Sequence, residues 1–438
     1  MANATASRPA NETTSPPTQS AVADAVRAAY EASRAVYPLG GGTALDYGNA
    51  PTHDGTRLDL TGLDRIVDYT PRDMTIVVEA GMRIAALAKI LAAEGQHLPI
   101  DVPRSAEATL GGVVATNWTG PRRYGHGTIR DYVIGIHAVD GRGVTFKAGG
   151  RVVKNVAGYD FCKLLSGSLG TLGVITQLAL KVKPKPEASA AVVAAGSDLT
   201  IAEKMLGRLI QLPAPPIAVD LLIGEAWQLE SPICSPQSEI RNCNGLLVIR
   251  LEGTELEVAA LAEQAQYELW SGGAADVRRL DAKEADSLWS CQVEFSDRPT
   301  WTSLSETQDR VSEKRGHVAD DGAPLVVKIA VPPGAVTQTV AELVSFDPGC
   351  TIQAHAGNGI VLARFSQFSH ADLTHVLVAR LRPAAVSLGG SLVIVSSKLE
   401  GLTPHLIWGG RTDAIVLMER IKQKIDPRSI LNPGRFVF

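Results

Sequence analysis

Three glycine-rich segments stand in the first 175 residues of this 438-residue chain. They are Leu39-Gly40-Gly41-Gly42-Thr43, then Thr109-Leu110-Gly111-Gly112 followed by Ala115, Thr116 and Asn117, then Gly167-Ser168 running to Gly173-Val174-Ile175. Successive backbone N–H groups in such turns converge into a nest for an anion, and the missing side chains let a phosphate come close. A pyrophosphate suits this chemistry; tight turns are the alternative use of the same residues. No GxGxxG opens a βαβ unit and no GxxxxGK[ST] occurs, which disfavours a Rossmann domain and a P-loop. Far downstream, His355-Ala-Gly-Asn-Gly-Ile360 offers one histidine for proton transfer. A lone histidine at a strand end more often serves the fold. No second His, Asp or Glu stands beside it at ligand spacing, so no metal site is expected.

Composition narrows the classes. The net charge is -4 with acids and bases scattered, which is not the basic footprint of a nucleic-acid binder. The five cysteines are widely spread without a CxxC pair, so neither a disulfide framework nor a zinc site is expected, and a reducing cytoplasm fits. Residues 1–20, rich in Ala, Thr, Ser, Pro and Asn, read as a disordered tail without a secretory signal. No apolar run approaches the roughly 20 residues that span a bilayer, so any membrane association is expected through partners.

The elements that must position the glycines follow from periodicity. Residues 21–36 read as a helix stopped by Tyr37-Pro38, followed by strands at Leu58–Leu60, Ile66–Tyr69 and Thr75–Ala80 and a helix over Met82–Glu94. Strands at Tyr132–Val139 and Gly143–Lys147 separate the second and third glycine segments. The proline-punctuated Lys181–Pro186 reads as a linker. Beyond it a β-α-β-β-α-β order between Ala190 and Leu280 recurs between Leu325 and Ser396, which predicts an antiparallel sheet of two lobes covered by helices. An amphipathic helix over Arg411–Lys424 leads into a Pro/Gly turn. The expected class is α+β, with domains at 21–185 and 186–405 and a C-terminal segment at 406–438.

Tyr37-Pro-Leu-Gly-Gly-Gly-Thr43, Leu58-Asp-Leu60, Val77-Val-Glu-Ala-Gly81, Thr109-Leu-Gly-Gly112 with Asn117, and Gly167-Ser-Leu-Gly-Thr-Leu-Gly-Val-Ile175, in this order, resemble the PCMH-type FAD-binding domain of the vanillyl-alcohol-oxidase-like flavoproteins. The resemblance covers roughly residues 21–185, and Leu431-Asn432-Pro-Gly434 is similar to the C-terminal segment that returns to the flavin. Val152–Asp160 with Gly167–Gly170 looks most like the smaller FAD-binding subunit of bacterial glycolate oxidase. This implies that Leu39–Thr43 holds the FAD pyrophosphate. It implies that Thr109–Gly112 and Ala115–Asn117 line the flavin and diphosphate, and that Gly173, Val174 and Ile175 meet the cofactor through backbone atoms. Arg123-Tyr124-Gly125 resembles a motif near the cofactor in this family, and Asn432 belongs to the returning segment. Many relatives tether the flavin to a histidine in the first loop; Thr43 and Ala44 stand here, which implies non-covalent FAD.

Relatives that oxidise D-lactate or glycolate carry an HxGDGNxH-like motif and a later EHG-like motif. His355-Ala-Gly-Asn-Gly lacks the carboxylate and the second histidine, and Gly389–Ile394 lacks the Glu-His pair. The resemblance therefore implies an FAD-binding subunit of a glycolate-oxidase-like complex, working with a paralogous FAD-linked oxidase subunit and an iron–sulfur subunit. The hydroxy acid, glycolate or D-lactate, would then meet either this chain or the partner. The alternatives are a self-sufficient FAD-dependent hydroxy-acid or alcohol dehydrogenase using His355, and a non-catalytic scaffold.

Overall fold

The computed structural model describes residues 11–51, 53–150, 159–196, 198–225, 227, 245–296, 323–410 and 413–437. It divides into two compact units. One takes the chain up to Thr119, Thr128–Lys185 and Gly410 onward; the other takes Gly120–Gly127 and Pro186–Gly409.

In the first unit, β1 (Asn11–Thr14), β2 (Ala35–Leu39) and β3 (Gly55–Asp59) form a small parallel sheet in the order β1-β3-β2. Residues 11–20 are thus not a disordered tail. Composition registers side chains, whereas β1 is held by backbone pairing from Asn11↔Gly55 to Thr14↔Leu58, and Thr18 already caps the next helix by accepting from the Ala21 N–H. That helix, α1 (Gln19–Glu31), buries Val22, Ala23, Val26 and Ala29 along one stripe. It ends earlier than its pattern predicts, because Ser33 takes a left-handed φ of 51° and the chain from Ala35 pairs with β3. Pro38, without an N–H, sits on the edge strand β2 where no ladder donor is needed.

A five-stranded antiparallel sheet follows, with β4 (Ile66–Thr70), β5 (Thr75–Glu79), β7 (Val133–Val139), β8 (Thr145–Gly149) and β9 (Val174–Lys181) in the order β4-β5-β9-β7-β8. The short β6 (Gln96–His97) pairs with β10 (Lys183–Pro184). Helices α2 (Ile84–Ala93) and α3 (Leu110–Thr116) cover the sheet through Ile84, Leu87, Leu91, Leu110, Val113 and Val114.

The second unit is one eight-stranded antiparallel sheet. Its strands are β11 (Ala188–Gly196), β12 (Ala218–Ile223), β13 (Gly245–Gly253), β14 (Asp276–Arg279), β15 (Ala323–Ala330), β16 (Thr351–His355), β17 (Ile360–Phe368) and β18 (Ser391–Ser397). The order β14-β11-β13-β12-β16-β17-β15-β18 joins the two predicted repeats at a β12–β16 seam. Alternation decides the faces. Val219, Leu221, Leu247, Ile249, Val327, Ile329, Ile352, Ala354, Val361 and Ala363 enter one apolar core under the helices Leu199–Arg208, Glu255–Ser271 and Val336–Phe346. The residues between them fall on the opposite face. Reciprocal Thr254/Glu257 and Asp281/Glu284 capping boxes fix the starts of Glu255–Ser271 and Ala282–Val293. The helix predicted to reach Leu381 opens into a π-helical run over Leu373–Leu381 just before Pro383, whose ring removes a helical N–H.

Candidate functional site

In the first unit the three glycine segments and the C-terminal segment meet. A side chain at Gly40 would overlap Thr109 Oγ1, and one at Gly41 would overlap the Glu107 carbonyl oxygen. Those two glycines are therefore required by the close approach of the 107–109 turn, in addition to any ligand. Gly42 differs: its φ is +71° and only a Leu45 methyl, 3.9 Å away, would face an added Cβ. The Leu39–Thr43 loop thus presents open backbone at Gly42.

The second glycine segment is the start of α3, not a loop. Thr109 caps it by accepting from the Gly112 N–H at 3.4 Å. Gly111 lets it lie against Ala80, whose Cβ would be 2.8 Å from a Gly111 Cβ. The Thr116 hydroxyl donates back to the Gly112 carbonyl. At the far end Asn117 closes the helix with φ 49°, and the third segment docks there: the Gly167 N–H donates to Val114 O and the Leu169 N–H to Ala115 O. Asn432 Nδ2 donates to Leu169 O at 2.8 Å, and the Asn432 N–H to Val36 O on β2. Val174 and Ile175 lie in the β9 ladder with β7, their side chains buried; Gly173 precedes them.

The C-terminal segment is fixed by a buried ion pair. Lys422 Nζ donates to Asp426 Oδ2 (2.7 Å), Thr171 O (2.7 Å) and Leu431 O (2.9 Å), while Asp426 accepts from the Ile430 and Leu431 N–H groups. Burial pulls the Lys422 ammonium below its ordinary pKa, against the opposing pull of Asp426.

Two side-chain atoms at this junction, Asn117 Oδ1 and Ser168 Oγ, are buried without a hydrogen-bond partner in the protein. Buried polar atoms are rarely left so, and a ligand rich in donors and acceptors satisfies them. The residues present fit an FAD. Leu39–Thr43 would hold its pyrophosphate through open backbone, Asn117 and Ser168 would meet its polar groups, and the bound flavin would supply a two-electron acceptor.

The remaining expected residues belong to the second unit. Tyr124 and Gly125 lie in α4 (Arg123–His126), where the Gly125 N–H donates to Ile217 O. The Tyr124 ring lies against Gly357, where a Cβ would come within 2.5 Å of it. Arg122 binds Glu252 Oε1 through Nε (3.2 Å) and an Nη (2.8 Å), and His126 Nε2 lies 3.4 Å from Glu252 Oε2. Burial would raise the Glu252 carboxyl, but the His126 hydrogen bond, the Arg122 charge and hydrogen bond, and the Arg250 charge outweigh it and hold the group down at about 2. Arg122 and Arg250 both stack on Trp289, with their guanidinium carbons 5.0 and 4.5 Å from the ring centroid. These contacts explain why residues 120–127 leave the first unit, which sequence reading did not anticipate.

His355 ends β16 directly opposite Asp220 of β12, in the seam. Its Nδ1 lies 2.8 Å from Asp220 Oδ1, while Asp220 Oδ2 accepts from Gln292 Nε2 (2.7 Å) and Gln353 Nε2 (3.0 Å). A carboxylate on Nδ1 keeps the proton there in the neutral ring and leaves Nε2 as an acceptor. That Nε2 is buried and without a partner. Sequence reading found His355 but not Asp220, Gln292 or Gln353; a lone Asp in the apolar strand Ala218–Ile223 was the available signal. Of the Val152–Asp160 stretch, residues 152–158 lie outside the described residues. Asp160 caps the Phe161–Leu165 turn, and Tyr159 is exposed. No cluster of three or more His, Cys, Asp or Glu suited to a metal occurs among the described residues.

The fold is PCMH-type, and together with the similarities that follow it makes the chain an FAD-dependent oxidoreductase. The family described as "FAD binding domain" matches residues 13–149, and the "FAD linked oxidases, C-terminal domain" matches residues 410–436. Among curated proteins the chain is similar to the glycolate oxidase subunit GlcD of Bacillus subtilis, at 26% identity over 411 residues, covering 91% of this chain and 83% of that protein. It is 37% identical over 210 residues to the glycolate oxidase subunit GlcE of Escherichia coli, covering 48% of this chain and 54% of that protein. The D-lactate dehydrogenase of Archaeoglobus fulgidus matches at 27% over 438 residues, covering 93% of this chain and 87% of that protein. A solved alkyldihydroxyacetonephosphate synthase superposes with a TM-score of 0.67 at 18% identity, covering 96% of this chain and 76% of that one, which establishes the shared fold. Among the described residues no helix is long and apolar enough to cross a membrane.

Proposed function

We propose that this chain is the FAD-binding subunit of a multi-subunit 2-hydroxy-acid oxidoreductase, carrying electrons from oxidation of glycolate or D-lactate. A paralogous FAD-linked oxidase subunit and an iron–sulfur subunit complete the assembly, and the FAD is bound non-covalently. The observation that carries this reading is the 37% identity to GlcE over 210 residues, 48% of this chain, beside 26–27% over 91–93% of it for GlcD and the archaeal dehydrogenase. Affinity capture of the tagged chain from its native cells tests it: an iron–sulfur protein and a second flavoprotein are expected in the eluate. Recovery of the flavin-loaded chain alone, bleached rapidly by glycolate or D-lactate under anaerobic conditions, overturns it. That outcome belongs to a second reading, a self-sufficient hydroxy-acid dehydrogenase, which the Asp220-oriented His355 favours.

A further inference from the structure

Lys328 stands in the middle of the apolar strand β15, between Val327 and Ile329, which both enter the core. Its side chain therefore leaves the opposite face, in register with Leu362 of β17 and Val393 of β18. Arg364 of β17 and Gln353 and His355 of β16 alternate onto the same face. Arg123 of α4 is near enough to act on Lys328 electrostatically: burial first, and the Arg123 charge second, pull the Lys328 ammonium down to about 8. No hydrogen bond or ion pair joins the Lys328 side chain to any described residue. The buried acids of this face are already engaged, Asp220 by His355, Gln292 and Gln353, and Glu252 by Arg122 and His126. A half-buried cation beside a second cation, with no acid among the described residues paired to it, gains from an anion that joins it. Two strand spacings separate Lys328 from Gln353, and His355 stands two residues further along β16, so the Lys328 and His355 backbones lie about 12 Å apart, a gap that a lysine side chain and a two- or three-carbon acid fill together.

We propose that this face of the second unit binds the carboxylate of a small 2-hydroxy acid, with the Lys328 ammonium as its ion-pair partner and His355 Nε2 accepting from the α-hydroxyl. The proposal rests on the hydroxy-acid reading above and assigns the acid to this chain. Because the ammonium is charged below about pH 8 and neutral above it, binding is strong in the lower range and is lost as pH rises through that value.

Calorimetric titration of the FAD-loaded full-length chain with glycolate, D-lactate and acetate, at about pH 6.5 and about pH 9.5, tests it. Glycolate is expected to bind at least about tenfold more tightly at the lower pH, and more tightly than acetate, which lacks the hydroxyl. Lys328→Met should weaken glycolate binding about tenfold or more at the lower pH, whereas Lys328→Arg should retain it and lose the pH dependence. Circular dichroism and the melting profile verify that both variants fold. Equal affinity of wild type and Lys328→Met, or no binding of any acid by wild type at millimolar concentration, overturns the proposal. Absent binding together with capture of the partner subunits sinks this proposal and leaves the subunit reading standing; the reverse pattern sinks the subunit reading alone.

Discussion

Replacing Lys422 by methionine removes the cation that ties the C-terminal segment to the FAD-binding unit. The side chain is 4% exposed and Asp426 is fully buried. Loss of the ammonium leaves a carboxylate in the interior with only two backbone N–H partners, and strips the Thr171 and Leu431 carbonyls of a donor. Breaking a buried pair from one side costs about 3–5 kcal/mol. For a unit of roughly 200 residues that corresponds to a fall of about 6–20 °C in the first melting transition. The same change loosens Ile430–Asn432 from β2, and with it the Asn432 bond to Leu169 beside the cradle, so flavin content should fall as well. Scanning calorimetry and flavin absorbance per mole of protein measure both effects. Lys422→Met/Asp426→Asn should be less destabilised than the sum of the two single variants, because the stranded charge is gone. A first transition within about 2 °C of wild type, with full flavin, would refute the assignment of Lys422 as the clamp.

Three further outcomes are expected. Glu252 has a folded-state pKa of about 2 against 4.5 ordinarily, so it contributes about 3 kcal/mol above pH 4.5, and this is lost as pH falls toward 2. Glu252→Gln should lower the melting point of the second unit at neutral pH and flatten its acid limb, read by calorimetry across that range. Gly41→Ala, which drives a methyl into the Glu107 carbonyl, should abolish flavin retention without moving the second unit's transition; Gly62→Ala, where nothing lies within 4 Å, should change neither. Acid precipitation should release the flavin to the supernatant, as expected with threonine at position 43; yellow colour retained in the pellet would show a covalent link.

The architecture was legible where side chains alternate or repeat over many residues. The doubled β-α-β-β-α-β order was read from such runs, and the Lys181–Pro186 linker from its prolines; the boundary between the units falls at Lys185/Pro186. What escaped depends on partners distant in the chain. β1 is held by backbone pairing with Gly55–Leu58, which leaves no hydrophobic trace. The Arg122–Glu252 pair spans 130 positions and the Asp220–His355 pair 135, so neither residue announces the other. The glycines were recognised as a cradle, but Gly40, Gly41 and Gly111 also make room for the chain's own atoms, a use that composition cannot separate from ligand binding.

The mirrored strand order of the second unit makes its two halves comparable position by position. Arg250 faces Ala218 at the start of β12, as Arg364 faces Thr351 at the start of β16. Two residues into those strands stand Asp220 and Gln353; four residues in stand Leu222 and His355. Two residues before each arginine, Val248 faces Val193 and Leu362 faces Lys328. The two halves repeat one strand order with different chemistry at matching positions: the later half has the histidine and the lysine where the earlier half has leucine and valine, and the earlier half furnishes the carboxylate across the seam. The Asp220–His355 pair crosses the seam, so the histidine of one half is oriented only when the other half is folded beside it.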